Sequence, residues 1–126
     1  MLISEYFKRI HLLISELSFV TSSEVNEDVR TLTEGYIKAK VFFTDGSILS
    51  FREYVSAESE PIVKLSYSYH YYKGQSLIFR YDNAPHHKEL SSFPHHKHLA
   101  GEIVIPCLPA TIESVLSEIQ DTVSFP

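Results

Sequence analysis

Residues 35–55 read GYIKAKVFFTDGSILSFREYV, a stretch that predicts a β-hairpin. Apolar and polar residues alternate on both sides of Thr44-Asp45-Gly46, which is the pattern of two half-buried strands joined by a tight turn. A three-residue loop with Gly46 in the left-handed conformation sets the register of the strands. It places one apolar set on a shared face, namely Ile37, Ala39, Val41, Phe43, Leu49, Phe51 and Val55. The opposite face carries Lys38, Lys40, Ser50 and Arg52.

Residues 62–82 repeat this pattern around Lys73-Gly74 and predict a second hairpin. With a three-residue loop ending at Gly74, one face holds Tyr67, Tyr69, Tyr71, Leu77, Phe79 and Tyr81. The other face holds Ser66, Ser68, His70, Ile78, Arg80 and Asp82. We expect the tyrosines in the core rather than as a platform for stacked bases. The polar faces of the two hairpins form a basic surface, which is either a binding surface or the solvated side of a half-buried sheet.

Two helices are predicted to flank these hairpins. Apolar residues between positions 3 and 17 recur at spacings of three and four, which predicts an amphipathic helix. A shorter helix is predicted over about 110–121 with Thr111 as its cap, and residues 19–31 are predicted as a further strand. We therefore expect one α+β domain over residues 1–126, with an antiparallel β-sheet of four to five strands and an N-terminal and a C-terminal α-helix on one face.

Composition excludes several classes of protein. A net charge of −5 argues against a general nucleic-acid coat protein, because such proteins neutralise phosphates with Lys and Arg. The single cysteine, Cys107, leaves no disulfide framework and no cysteine-rich zinc site, and four glycines are too few for a phosphate-cradling loop. No stretch offers about 18 consecutive apolar residues, so we expect a cytoplasmic protein without a membrane span.

A histidine-rich segment follows the second hairpin. Residues 80–99 read RYDNAPHHKELSSFPHHKHL and hold five of the seven histidines, which exchange protons near neutral pH and bind metals when neutral. Pro85 and Pro94 stiffen this segment, so its side chains are expected to converge on one pocket. The candidate catalytic set is Arg80, Asp82, His86, His87, His95, His96 and His98. The candidate substrate-binding set is His70, Asn83, Lys97, Lys38, Lys40 and Arg52.

These segments also carry a resemblance to a known family. YSYHYY (67–72), LIFRYDNAPHH (77–87) and FPHHKHL (93–99), together with the upstream FTDGSILSFREYV (43–55), resemble the signature of TumE-type toxins from prokaryotic toxin-antitoxin pairs. The resemblance covers about residues 35–100. It implies a small cytoplasmic α+β protein paired with an antitoxin of the helix-turn-helix type, and it leaves the reaction open.

The first interpretation of the histidine segment is a metal-independent ribonuclease site. Cleavage of RNA through its own 2′-hydroxyl requires a base, an acid and cations for the phosphate, which two histidines and Arg80 or Lys97 supply. Asp82 would orient one imidazole, and Asn83 would hydrogen-bond a phosphate or a base edge.

Two other interpretations remain open. In one, His96 and His98 chelate a metal together with His86 or His87, although the chain has neither an HExxH pattern nor partner cysteines. In the other, the histidines cap turns around the prolines and contact the antitoxin or solvent. Glu53, which falls on the apolar face, is either a strand-edge charge paired with a lysine or a buried carboxylate that supports the site.

The sequence thus leads to one prediction and one alternative. We predict a toxin that inhibits growth by cleaving RNA through the histidine-rich site, with no cofactor and no bound metal. The alternative is a non-catalytic interaction module, or a metal-binding protein, whose histidine loop contacts the antitoxin or another macromolecule. The antitoxin and RNA are the expected partners, no membrane contact is expected, and a homodimer is left open.

Overall fold

The computed structural model describes residues 1–124, in which two helices enclose seven strands along the chain. The elements are α1 (Ile3–Ser15), β1 (Val20–Val29), β2 (Glu34–Phe43), β3 (Ser47–Ser56), β4 (Val63–Lys73), β5 (Ser76–Asp82), β6 (His96–Leu99), β7 (Ile103–Pro106) and α2 (Ile112–Ser124). Strands and helices are segregated along the chain, so the predicted α+β class is confirmed.

The strands form one antiparallel sheet whose spatial order is the chain order, with β1 and β7 at its edges. The predicted number of four to five strands is wrong, because the sheet within residues 1–124 has seven. The missed pair is β6 and β7, which are four residues each and join through a turn at Gly101. These strands are short and β6 is mostly polar, so they lack the apolar alternation that identifies a strand.

The first hairpin has the predicted loop and register. Gly46 adopts a positive φ of 86°, and β3 begins directly after it at Ser47. All of the residues predicted on the inner face are buried: Ile37, Ala39, Val41, Phe43, Leu49, Phe51 and Val55. Lys38 pairs with Arg52 across the strands, so both basic side chains lie on the face of the sheet opposite the core. We refer to this face as the open face.

The second hairpin differs from its prediction near the turn. β4 and β5 are joined by the two-residue turn Gly74-Gln75 instead of a three-residue loop. A bulge at Ile78 of β5 lies opposite Tyr71 and Tyr72, so Leu77 pairs with Tyr72 while Phe79 pairs with Tyr71. The extra residue of the bulge moves Leu77 to the open face and lets Ile78 pack against the core, so the predicted faces of these two residues are exchanged. From Phe79 onward the predicted alternation holds.

Helix α1 covers the apolar face of the sheet, as predicted. It buries Ile3, Phe7, Ile10 and Ile14, which form one stripe at helical spacing. The helix ends at Ser15, two residues before the predicted end at position 17.

Helix α2 packs on the same face. The Thr111 hydroxyl oxygen accepts the Ser114 N–H at 3.0 Å, which confirms the predicted cap. The buried residues of the helix, Ile112, Val115, Leu116 and Ile119, belong to the same core as those of α1. Arg9 of α1 bonds Glu113 of α2 at 2.9 Å, so the two helices are neighbours. Of the two helices described within residues 1–124, neither is long and apolar enough to cross a membrane.

Glu53 lies on the apolar face of β3 and is fully buried. Its carboxylate accepts hydrogen bonds from the hydroxyls of Tyr6 and Tyr69, each at 2.5 Å. Lys64 Nζ donates to the Tyr69 hydroxyl at 2.8 Å, which links the buried carboxylate to a cation through one side chain. Of the two sequence-based alternatives the buried carboxylate is the one found, and its bonds connect α1 to the sheet rather than to the histidine segment.

Replacing Glu53 with alanine should lower the free energy of unfolding by about 2 to 6 kcal/mol, because two buried hydroxyls lose their acceptor. The Glu53→Gln protein keeps an amide oxygen that can accept, so its loss should be clearly smaller. Urea denaturation followed by circular dichroism measures both values. Equal losses for the two variants would show that the hydrogen bonds from Tyr6 and Tyr69 do not stabilise the fold.

Candidate functional site

The pairing of β5 with β6 assembles a group of histidines on the open face of the sheet. Arg80 pairs with His98 and Asp82 pairs with His96, so the four side chains project on the same side. His87, from the loop that joins the two strands, adds a third ring. Its centroid lies 5.1 Å from that of His96 and 5.8 Å from that of His98. We refer to these five residues as the histidine cluster.

Asp82 lies at the centre of the histidine cluster and is buried. Its Oδ1 lies 2.9 Å from His96 Nε2 and accepts the Ala84 N–H at 3.0 Å. Its Oδ2 accepts a hydrogen bond from Arg80 Nε at 3.0 Å. Contacts with this carboxylate, including the charge-assisted hydrogen bond that Arg80 donates to it, therefore fix both the His96 ring and the Arg80 guanidinium.

His96 is held between two oxygen atoms. Its Nδ1 lies 3.0 Å from the Pro94 carbonyl oxygen, which can only accept, and its Nε2 faces Asp82. The carbonyl contact makes Nδ1 a donor, and the other ring nitrogen contacts the Asp82 carboxylate. His96 and Asp82 thus form a buried pair that fixes the orientation of the ring.

His98 differs, because its Nε2 lies closer to a cation than to Asp82, whose Oδ2 is 3.5 Å away. Arg80 Nη2 lies 3.0 Å from this nitrogen, and a guanidinium has donors only. Nε2 is therefore the acceptor, and the His98 ring is neutral. Burial and the nearby Arg80 charge both lower the pKa of His98 from its usual value of 6.5. The ring remains an unprotonated base at neutral pH.

His87 is the ring of the histidine cluster that is most open to solvent. Side-chain exposure rises from 2% for His96 to 19% for His98 and 34% for His87. The His87 backbone has a φ of 59°, in the left-handed region that residues other than glycine seldom adopt. Strained residues of this kind persist where the surrounding structure fixes them, and they are frequent at functional sites.

A groove of about 780 Å³ extends along the open face of the sheet as far as the histidine cluster. Its lining includes Lys38, Arg52, His70, Arg80, Asn83 and His86. Lys38, Arg52 and Arg80 bring a positive charge from three different strands, and serines of β3 and β4 add hydroxyls. Burial and the Arg80 charge lower the pKa of His70. Asp82 also lines the groove, but the three cations outnumber this one carboxylate, so the groove suits an anionic ligand.

Five of the seven candidate catalytic residues converge in the histidine cluster, and two do not. His86 is exposed and lines the groove. His95 turns away and stacks on Tyr67, with its Nδ1 2.8 Å from the Tyr67 hydroxyl. Burial raises the pKa of Tyr67 to about 12, so this hydroxyl keeps its proton and donates to His95. His95 therefore anchors the segment instead of joining the cluster.

Lys97 lies on the opposite face of the sheet from the histidine cluster. It sits between His96 and His98 on a strand, and successive side chains of a strand alternate between faces. Its Nζ donates to Glu118 of α2 at 2.9 Å and lies 4.8 Å from the centroid of the Tyr81 ring. Lys97 thus joins the sheet to α2 and stands apart from the site.

Two further candidates have partial roles. Asn83 lines the groove, but its amide is bound to backbone, since Oδ1 accepts the Tyr67 N–H at 2.9 Å and Nδ2 donates to the Leu65 carbonyl at 3.3 Å. Lys40 is exposed and shares the open face with Lys38, beyond the residues that line the groove. Lys38, Arg52 and the cluster are therefore the parts of the predicted site that the fold brings together.

The histidine cluster also meets one geometric requirement of a metal site. Nitrogens of His87, His96 and His98 lie within 4.8 Å of one another, which is close enough for three ligands of one ion. However, both nitrogens of His96 face oxygen acceptors, and His98 Nε2 faces the Arg80 guanidinium. A metal ligand must offer a free lone pair, so His96 could bind an ion only after it loses one of its two contacts. His98 could bind through Nε2 only after it loses the contact with Arg80.

Two groups that hold the site were not predicted from the sequence. One is the Pro94 carbonyl, which orients His96. Every residue has a backbone carbonyl, so the sequence does not indicate which of them contacts a side chain. The other is the Ser92 hydroxyl, which donates to the His95 carbonyl at 2.5 Å and accepts the Cys107 N–H at 3.2 Å. A serine in a loop is too common to serve as a signal. The Pro94 contact lies within the histidine segment, whereas Ser92 joins this segment to Cys107.

Comparison with known proteins gives one match. A family model described as Toxin TumE matches residues 9–123, a range that includes the groove and the whole histidine cluster. No curated protein and no solved structure shows significant similarity to the chain.

Proposed function

The chain belongs to the TumE toxin family, and from this premise we propose that it is a toxin that cleaves RNA without a metal, with the histidine cluster as its active site. As a toxin of a toxin-antitoxin system it has an antitoxin partner, which we propose to be of the helix-turn-helix type. We further propose that it acts in the cytoplasm. One observation carries the ribonuclease proposal: His98, whose Nε2 contacts Arg80, lies beside the second exposed ring, His87, at the end of a cationic groove.

The proposed role of the groove is to hold the RNA backbone. Lys38 and Arg52 occupy paired positions on β2 and β3, and Arg80 lies where the groove meets the histidine cluster. Contacts between such cations and phosphates supply most of the sequence-independent affinity for nucleic acids. The net charge of −5 for the whole chain does not oppose this role, because screening limits charge effects to about 10 Å.

The proposed reaction is attack by the 2′-hydroxyl on the adjacent phosphate. His98 Nε2 takes the hydroxyl proton while the 2′-oxygen forms a bond to phosphorus. Protonated His87 gives a proton to the 5′-oxygen as the bond between that oxygen and phosphorus breaks. The products are a 2′,3′-cyclic phosphate and a 5′-hydroxyl. The phosphate accepts the Arg80 hydrogen bond in place of His98, which frees Nε2 and stabilises the negative charge.

Exposure decides the division of roles among the three histidines. His87 and His98 reach solvent, and so they can reach a substrate, whereas the His96 ring is enclosed. His96 and Asp82 are therefore positioning residues. The Asp82 carboxylate holds Arg80 beside His98, and the enclosed His96 ring holds the carboxylate in place.

Metal-dependent hydrolysis is the second candidate function, and the three nearby nitrogens favour it. In that case His87, His96 and His98 would bind a divalent ion that activates a water molecule. Such an enzyme would lose activity with a chelator and regain it with zinc or manganese. The hydrogen bonds of His96 and His98 make this the weaker candidate.

Cleavage should show a bell-shaped dependence on pH. His98 acts as a base only in its neutral form, and its pKa is lowered, so the acid limb should lie below pH 6.5. In the Arg80→Gln protein a cation that disfavours protonation is gone, so the pKa of His98 rises and the acid limb moves to higher pH. Initial rates of cleavage between pH 4 and pH 9 measure this shift.

The control for this experiment is Lys97→Gln, which removes a cation from the opposite face of the sheet. Its acid limb should coincide with that of the unmodified protein. If the acid limb stays in place in the Arg80→Gln protein, His98 is not the base. If the unmodified protein does not cleave RNA at any pH, the ribonuclease proposal is wrong.

A further inference from the structure

A second depression lies on the side of the histidine cluster away from the groove. This pocket of about 580 Å³ is bordered by Leu77, His87, His98, Gly101, Glu102 and Val104, among others. Val104 pairs with His98 across β6 and β7, so its side chain stands beside that ring on the open face. The rings of His87 and His98 thus form a wall that the pocket shares with the histidine cluster.

The pocket and the groove differ in chemistry. The groove carries three cations, Lys38, Arg52 and Arg80, and one carboxylate, Asp82, whereas the ionisable residues that line the pocket are Glu102 and the two histidines. A carboxylate repels phosphate, so the pocket is unsuited to the RNA backbone. Leu77 and Val104 offer apolar walls, and the imidazole rings offer flat surfaces on which a base can stack.

We propose that this pocket binds one nucleobase of the RNA beside the scissile phosphate and prefers a base with an exocyclic amino group. The proposal rests on the ribonuclease function, because it places the phosphate at the histidine cluster. With the backbone in the groove, a nucleotide adjoining the phosphate reaches across the His87 and His98 rings into the pocket. The Glu102 carboxylate accepts a hydrogen bond from the amino group of adenine, cytosine or guanine, which uracil lacks.

Mapping the cleavage sites in an RNA of mixed sequence tests the preference for a base with an exocyclic amino group. The unmodified protein should disfavour uracil by about tenfold at one nucleotide next to the cut, as read from the 5′-hydroxyl ends. Val104→Trp fills the pocket and should reduce this discrimination to less than about twofold. The matched control is Ile103→Trp. Ile103 is the neighbouring residue of β7, lies on the other face of the sheet and is 53% exposed, so this variant should keep the discrimination against uracil. Equal discrimination by both variants, or none by the unmodified protein, would overturn the proposal.

A second measurement separates this proposal from the ribonuclease function. RNA tetranucleotides with 2′-O-methyl groups lack the attacking hydroxyl, so they bind without being cut. Adenine-containing tetranucleotides should shift the amide NMR signals of Gly101 and Val104, and uracil-only ones should shift them far less. Shifts confined to the groove around Lys38 and Arg52, or no binding, would refute the pocket. Shifts at Gly101 and Val104 without any cleavage would retain the pocket and refute the enzyme.

Discussion

Replacing His98 with alanine should slow RNA cleavage by about 10² to 10⁴-fold, because the reaction then lacks its base. The effect is expected to be large, since His98 is the ring whose Nε2 is a free acceptor once the phosphate binds Arg80. Growth inhibition in cells should fall together with cleavage in the purified protein. Cleavage of a defined oligonucleotide and colony counts after induction measure the two quantities.

His11→Ala is the matched control for this experiment. His11 is an exposed histidine of α1 that pairs with Glu27, far from the open face of the sheet. This variant should keep cleavage and toxicity. The His98→Ala protein should still fold and bind its antitoxin, as judged by circular dichroism and copurification. Undiminished toxicity in the His98→Ala protein would remove this residue from catalysis and favour the non-catalytic interaction module.

Replacing Asp82 with alanine should lower the free energy of unfolding by about 3 to 5 kcal/mol, because the buried His96 ring loses the carboxylate that its Nε2 contacts. The same change frees Arg80 and leaves the Ala84 N–H without its acceptor. Urea unfolding at pH 7 measures the loss. We expect this to be the largest effect on stability of any single substitution in the histidine cluster.

Asp28→Ala provides the comparison for this second prediction. Asp28 pairs with Arg30 at 3.3 Å on the surface, with more than half of each side chain exposed. Pairs of this kind contribute less than about 1 kcal/mol. If the Asp82→Ala protein is destabilised no more than the Asp28→Ala protein, the contacts of the Asp82 carboxylate do not stabilise the fold.

Most of the sheet could be predicted from its alternation. In β2 and β3 every second residue is apolar, and a slip of one residue would have exposed the whole set, so Gly46 and the pattern leave one register. The bulge at Ile78 escaped prediction because Leu77 and Ile78 are both apolar. Either can face the core, and only the pairing with β4 decides between them.

The hairpin of β6 and β7 could not be predicted from the alternation of apolar and polar residues. Its four-residue strands contain His96, Lys97 and His98, and a pattern this short does not exclude a loop. Because β6 is not predicted as a strand, the sequence places Lys97 in the candidate site together with His96 and His98. Once β6 is known to be a strand, alternation alone places Lys97 on the opposite face.

The grouping of Arg80, Asp82, His96 and His98 depends on tertiary pairing. Asp82 and His96 are 14 positions apart in the sequence, and β5 and β6 bring them to the same rung. The sequence indicated which residue types could carry chemistry. It could not distinguish His96, held between two oxygens, from His95, one residue earlier and stacked on Tyr67.

Cleavage of RNA by the purified protein in the presence of EDTA tests the central claim most directly. We predict that the chelator leaves the rate unchanged, that the fragments end in 2′,3′-cyclic phosphate and 5′-hydroxyl groups, and that the His98→Ala protein produces neither. Activity that is lost with EDTA and restored by zinc or manganese would contradict the proposal and assign His87, His96 and His98 to a metal ion. Intact RNA under all of these conditions would contradict any ribonuclease function.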